Sequence, residues 1–236
     1  MNGLDAVEAR LEGVANGYPG PLGEACRATL GAGGKRLRPL LTLLSARRDL
    51  AFSPAVLRAA AAVELVHMAT LVHDDVLDHA ALRRGRPTVV DAQGAETAVA
   101  TGDYLLARAF VELAGAGSPE AVDVLSAAAL QLSRGELLQR AAAHKVTTTV
   151  AEYEERCERK TADLFAAACT LGAQVSCVGP ETAASLAVFG RLLGLAFQVF
   201  DDILDFSGEE GQTGKRVGTD VRDGTITLPV ILALEV

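Results

Sequence analysis

A chain of 236 residues, half of them hydrophobic and few aromatic, is long enough for one sizeable core, built here from Ala- and Leu-rich packing. A net charge of −8 argues against a general nucleic-acid binder. The four cysteines, Cys26, Cys157, Cys169 and Cys177, show no C-x-x-C spacing and no histidine at zinc-ligand distance, which fits free thiols in a reducing cytosol and a cytoplasmic location. The start, "MNGLDAVEAR", has no basic segment before an apolar stretch, so no signal peptide is expected. Apolar runs are interrupted, as by Glu64 and His67 in "AAAVELVHMATLV", so no membrane span is expected either.

In chain order the pattern reads as helix throughout. "NGYPGP" is a turn, and "GAGGKRLRP" is a Gly-rich loop entering a helix over about Leu40 to Arg48. Ser53-Pro54 pairs an N-cap with proline at the first helical position, and apolar residues then run to Asp78. "ALRRGRPT" is a loop. A helix from about Glu96 to Ala114 ends at "GAGSPE", and Ser118-Pro119 starts the next, to about Ala143. Thr149 with Glu152 forms a capping box for a long helix to about Cys177, stopped by Gly179-Pro180. Glu181 to Asp205 is another helix, Ser207 to Thr227 a charged Gly-rich loop, and a last helix begins near Leu228. "KVTTTV" is the most strand-like piece, and a capped turn explains it better. The expected fold is all-α, one domain over residues 1–236, lacking further C-terminal helices because the sequence stops inside an apolar helix.

Two stretches carry chemistry. "LVHDDVLD" and "FQVFDDILD" each place Asp-Asp-x-x-Asp in apolar helix. Positions i and i+4 share a helix face, so Asp74 and Asp78 point together with Asp75 beside them, and Asp201, Asp202 and Asp205 repeat the geometry. Like charges at that spacing repel, and both clusters sit at a helix C-terminus, where the dipole also disfavours acids. A cation must compensate. Oxygen-only ligands favour Mg²⁺, which normally rests on one or two carboxylates plus substrate phosphates.

Basic loops accompany the acids. "GGKRLRP" supplies Gly33, Gly34, Lys35, Arg36 and Arg38, "RRGRPT" supplies Arg83, Arg84 and Arg86, and "GKRVGTD" supplies Lys215 and Arg216. Glycines let backbone N–H groups approach an anion, and Lys and Arg add charge and forked donors. His67 lies at i−7 from Asp74 and becomes a candidate phosphate donor. The simplest site holds two phosphate-bearing ligands, one through Mg²⁺ and one directly on Lys and Arg.

Together these motifs resemble the trans-isoprenyl diphosphate synthases, or polyprenyl synthetases. The elements "GGKRLRP", "ELVHMATLVHDDVLD", "RRGRPT", "GDYLLARAF", Gly135-Glu136, "KTADLFAAACTLGA", "FQVFDDILD", "GKRVGTD" and "TLP" stand in family order across the whole chain. The resemblance implies an all-α bundle around a deep central cavity, usually a homodimer, with the two aspartate motifs facing each other across the cavity mouth. It implies Asp74, Asp78 and Asp201 as main metal ligands, with Asp205 also on the metal and Asp75 and Asp202 in support, for three Mg²⁺ ions. It implies that Arg83, Lys160, Thr161, Gln198 and Lys215 contact an allylic diphosphate. Lys35, Arg38, His67 and Arg84, with the Gly34 backbone, would bind isopentenyl diphosphate.

In that family, bulky residues just before the first motif limit product length. Here Met68, Ala69 and Thr70 precede it, so a geranylgeranyl or longer product is expected. Thr225 stands where many short-chain members carry Lys, which points the same way. A class I terpene cyclase would lack the GGKRLRP site and the second aspartate motif. A non-catalytic partner subunit would lose the aspartates, whereas a catalytic subunit needing a second protein, or a farnesyl-length product, stays open.

Overall fold

The structure, a computed structural model, describes residues 3–207 and 218–234. It comprises helices α1 (Gly3–Ala15), α2 (Gly20–Leu30), α3 (Leu37–Ser45), α4 (Pro54–Leu77), α5 (Val89–Gln93), α6 (Ala95–Ala114), α7 (Pro119–Ala141), α8 (Val150–Cys157), α9 (Asp163–Val175), α10 (Pro180–Ser207), α11 (Thr219–Arg222) and α12 (Leu228–Leu234). A five-residue π turn, Glu158–Ala162, joins α8 to α9. Two residue pairs, β1 (Leu82–Arg83) and β2 (Arg86–Pro87), make a small antiparallel hairpin with Leu82 opposite Pro87 and Arg83 opposite Arg86. The chain divides into two compact units, Met1–Leu125 with Ala168–Leu186, and Ser126–Ala167 with Ala187–Val236.

In the first unit α4 is the central rod. Ser53 caps it by accepting from the Val56 N–H. From Ala59 to Val66 every residue is buried, so the helix is apolar all round and needs neighbours on every side. It packs against α1, α3 and α6. Two glycines permit close approaches between helices in this unit. A Cβ on Gly102 of α6 would lie 2.2 Å from Nε2 of His73, and one on Gly172 of α9 would lie 2.0 Å from the Thr42 carbonyl oxygen. By length and hydropathy alone α4 and α10 could each cross a membrane, against the sequence expectation, but two thirds of the α4 window is buried inside the protein. Glu112 of α6 gathers Arg10 of α1 at 2.7 Å and Arg58 of α4 at 3.3 Å.

In the second unit α8 begins with the expected capping box, Thr149 accepting from Glu152 N–H and Glu152 accepting in return. Tyr153 and Cys157 of α8 form a small core with Ile226 and Ile231, flanked by Leu195 and Val199 of α10. The segment before α12 is pinned from two directions. Arg156 Nη2 donates to the Ile226 carbonyl at 2.7 Å, and the His144 N–H donates to the Gly224 carbonyl at 2.8 Å.

Some of this was not expected. α1, α2, α5, α11 and the hairpin were unread, and the long helix from Thr149 is broken by the π turn. α3 starts at Leu37, not Leu40, because Arg36 takes a left-handed conformation (φ 47°) and serves as its N-cap.

Candidate active site

The GGKRLRP loop is shaped by one residue turned inward. Arg36 donates to Glu8 Oε1 at 2.6 Å, Glu64 Oε1 at 2.9 Å and the Leu30 carbonyl at 2.8 Å. With Arg36 used as an anchor, Gly34 and Lys35 stay exposed and Arg38 follows on the first turn of α3. The Arg84 guanidinium donates to the Gly33 carbonyl and comes close to Gly34. Gly34 takes φ 146°, a conformation that favours glycine, and a Cβ there would also press on the mobile end of Arg84, 2.9 Å from Nη1.

Glu64 is 3% exposed and is the carboxylate that Arg36, Arg38 and Arg84 share electrostatically. Burial pulls the Arg38 guanidinium down to about 10, opposed by Glu64, and it remains charged at neutral pH. Removing one partner of a buried pair typically costs about 3–5 kcal/mol. Glu8 would still face Arg36, so Glu64→Ala should lose about 3 kcal/mol, the low end of that range, read as a fall in the urea midpoint with unchanged slope.

His67 sits on α4 within this basic shell. Burial first, then Arg38, Arg84, Arg83 and Arg36, hold its imidazole well below the usual histidine range. The ring is therefore neutral at pH 7, with one N–H to donate. The unfolded chain, titrating near 6.5, takes up a proton that the folded protein refuses. Stability is whole above that value and declines as pH falls through it toward the folded value. Between about pH 7.5 and 5.5 the melting temperature should drop more steeply for the parent protein than for His67→Gln.

The first aspartate cluster divides its labour. Asp75, 5% exposed, accepts from Arg83 Nε at 2.8 Å. Asp74 is half-buried, and Asp78 is exposed at the C-cap of α4. Arg83, expected on substrate, is thus held by Asp75, while Arg84, next to it but at φ 53°, swings to the glycine loop. Just before the cluster, Met68 and Ala69 are buried, and Thr70 donates to the His67 carbonyl at 2.8 Å.

The second cluster, in the other unit, does the same. Asp202, 4% exposed, accepts from Tyr153 OH at 2.6 Å and from Gln198 Nε2 at 2.8 Å. Burial raises its carboxyl above the usual range, and those two hydrogen bonds oppose the rise. Asp201 is exposed. Asp205 accepts from the backbone N–H groups of Thr219 at 3.3 Å and Asp220 at 3.1 Å. Thr161 donates to Gln198 Oε1 at 2.7 Å. Lys160 bonds Glu136, which also holds Arg140 Nε at 2.9 Å, and reaches Gln139 Oε1 at 3.2 Å. The π turn that carries Lys160 and Thr161 crosses α7 at Gly135, where a Cβ would lie 2.6 Å from the Lys160 nitrogen. Such turns recur at functional sites. Lys215 lies outside the described residues.

Sequence reasoning thus missed Glu64, Arg36 as an anchor and Tyr153, and it named Glu136 without reading its ion pair with Lys160. Glu64 at i−3 from His67, and Glu136 beside Gly135, were visible signals; Tyr153 in an ordinary capped helix was not.

The donors suit Mg²⁺. Within the described residues no three His, Cys, Asp or Glu side chains form a closed metal cage. Mg²⁺ does not need one, since it takes a few carboxylates and completes its shell with water and phosphate. Asp74 and Asp78, at i and i+4 near the helix end, and exposed Asp201 offer oxygen donors of that kind.

The family profile described as polyprenyl synthetase matches residues 20–236. Heptaprenyl diphosphate synthase component 2 of Geobacillus stearothermophilus is 45% identical over 231 residues, which is 98% of this chain and 72% of that protein. Geranylgeranyl diphosphate synthase of Methanosarcina mazei is 39% identical over 222 residues, 92% of this chain and 68% of that protein. The crystal structure of heptaprenyl diphosphate synthase from Staphylococcus aureus matches at TM-score 0.95 and 36% identity, over 100% of this chain and 76% of that one. With a matched profile over nearly its whole length and relatives sharing its all-α fold, the chain belongs to the polyprenyl synthetase family.

Proposed function

We propose that this chain is a Mg²⁺-dependent prenyltransferase. It joins isopentenyl diphosphate head-to-tail to an allylic diphosphate, elongates all-trans to a geranylgeranyl or longer polyprenyl diphosphate, and releases diphosphate. One observation carries the reading. On α4, neutral His67 stands among arginines while Asp74 lies two helical turns further on, about 10 Å away along the axis. Two subsites of opposite charge on one rod suit two diphosphates, one held directly and one held through metal.

Asp74 and Asp78 in one motif, with Asp201 and Asp205 in the other, would hold Mg²⁺, three ions in all. When bound it neutralises the charge that develops on a leaving diphosphate. Lys35, Arg38 and Arg84 bind the isopentenyl diphosphate, and His67 donates an N–H to it. Arg83, braced through Nε by Asp75, and Lys160, Thr161, Gln198 and Lys215 orient the allylic diphosphate. The C–O bond to diphosphate breaks first, leaving an allylic cation, and the isopentenyl double bond then attacks that carbon. A proton then leaves the new chain for the released diphosphate, so no nucleophilic Ser or Cys is needed. Apolar walls keep water from the allylic cation.

The active species is proposed to be a homodimer. A second reading, a catalytic subunit that works with another protein, is favoured by one finding: the Geobacillus relative is by name one component of a synthase. Purified protein, labelled isopentenyl diphosphate, Mg²⁺ and geranyl, farnesyl or geranylgeranyl diphosphate primers test both. Elongated products longer than farnesyl support the proposal. Elongation only after a second protein is added moves it to the second reading. Cyclised hydrocarbon in place of prenyl diphosphate would sink both.

A further inference from the structure

We infer that Tyr153 is a positioning residue for the allylic diphosphate subsite, acting through Asp202 and Gln198. This rests on the proposed function above.

The inference starts from a directed chain of hydrogen bonds. As a carboxylate Asp202 accepts, so Tyr153 OH donates to Oδ2 at 2.6 Å and Gln198 Nε2 donates to Oδ1 at 2.8 Å. That fixes which end of the Gln198 amide faces Asp202. Its Oε1 must then face Thr161, whose hydroxyl donates to it at 2.7 Å. Removing the tyrosine hydroxyl leaves Oδ2 of a nearly buried carboxylate without that donor. The carboxylate can then rotate toward water or toward Gln198, and the amide and the Thr161 hydroxyl lose their assigned direction.

Tyr153 itself has no such freedom. Its ring is buried against Ile226 and Ile231. Arg156 lies over the ring, 5.5 Å from its centroid, and is anchored by the Ile226 carbonyl. The hydroxyl is thus placed by packing and not by its hydrogen bond. Tyr153 touches neither substrate subsite directly. Its effect should therefore fall on the allylic ligand and spare isopentenyl diphosphate, whose binding groups belong to the other unit.

The test is calorimetric titration with Mg²⁺ and geranyl S-thiolodiphosphate, which binds without ionising readily, and separately with isopentenyl diphosphate. Tyr153→Phe should weaken the allylic ligand about three- to tenfold, the equivalent of one hydrogen bond, and leave isopentenyl diphosphate within about twofold. Asp202→Asn, which can still accept from Gln198 and donate to the Tyr153 oxygen, should bind the allylic ligand better than Asp202→Leu. This second pair carries the test if Tyr153→Phe does not fold. Equal weakening of both ligands would mark a purely structural residue and overturn the inference, as would no weakening at all. Should the parent protein fail to bind the allylic analogue, the functional reading falls first and the inference with it.

Discussion

Replacing Asp74 or Asp201 by alanine should cut prenyl transfer by about 10³-fold while leaving the protein as stable as before or slightly more so. The two halves of that result have one cause. Asp74 and Asp78 repel at i, i+4, and both lie where the α4 dipole is negative. Removing one charge relieves about 0.3–1 kcal/mol of local strain in the metal-free protein. A bound divalent cation would offset that repulsion further. Thermal melts with and without Mg²⁺ and inorganic diphosphate check this. The parent protein should gain stability from the pair together, because a ligand that binds only the folded state stabilises it. Each single variant should gain much less. Normal turnover by both variants would end the metal reading.

Asp75→Ala and Asp202→Ala should behave differently. Each removes a buried carboxylate and takes an acceptor from its donors, partly exposed Arg83 in one case and buried Tyr153 with half-buried Gln198 in the other. They should lose stability as well as activity. The contrast with their neighbours separates carboxylates that serve ligands from those that brace the site.

That contrast was only half legible in the sequence. The i, i+4 rule put Asp74 with Asp78 and Asp201 with Asp205. It also placed Asp75 and Asp202 about 100° round the helix, but it could not say that this direction is inward, since the flanking residues are apolar on both sides. Helix limits set by local chemistry were readable: the Ser53 cap, the Thr149 capping box and the stop at Gly179-Pro180. Features set by distant partners were not. Arg36 looked like one more cation of the phosphate loop, and only Glu8 and Glu64, each 28 residues away, show it to be an anchor. The π turn at Glu158–Ala162 has no composition of its own. It coincides with the close approach of Gly135 to the Lys160 backbone, a contact between segments no local pattern connects.

Product length gives the second large effect, and the two small positions before Asp74 differ in burial. From sequence, Ala69 and Thr70 were equivalent small positions before Asp74. In the structure Ala69 is 1% exposed, closed within the α4 core, whereas Thr70 is half-buried, as are His67, Leu71 and Asp74 on the same face of the helix. A phenylalanine at Ala69 has to displace neighbours, which costs about 1–3 kcal/mol. At Thr70 the ring can stand on the open face one turn before Asp74, about 5.4 Å, near the length of one isoprene unit. Thr70→Phe should therefore shorten the longest product to farnesyl or geranylgeranyl length at nearly unchanged rate for the first condensation. Ala69→Phe should show mainly as lowered stability. Chromatographic sizing of products, run beside denaturant unfolding of both variants, separates the two. If Ala69→Phe shortened the product while Thr70→Phe did not, the growing chain would have to run along the buried side of α4, and the assignment of the open face would be wrong.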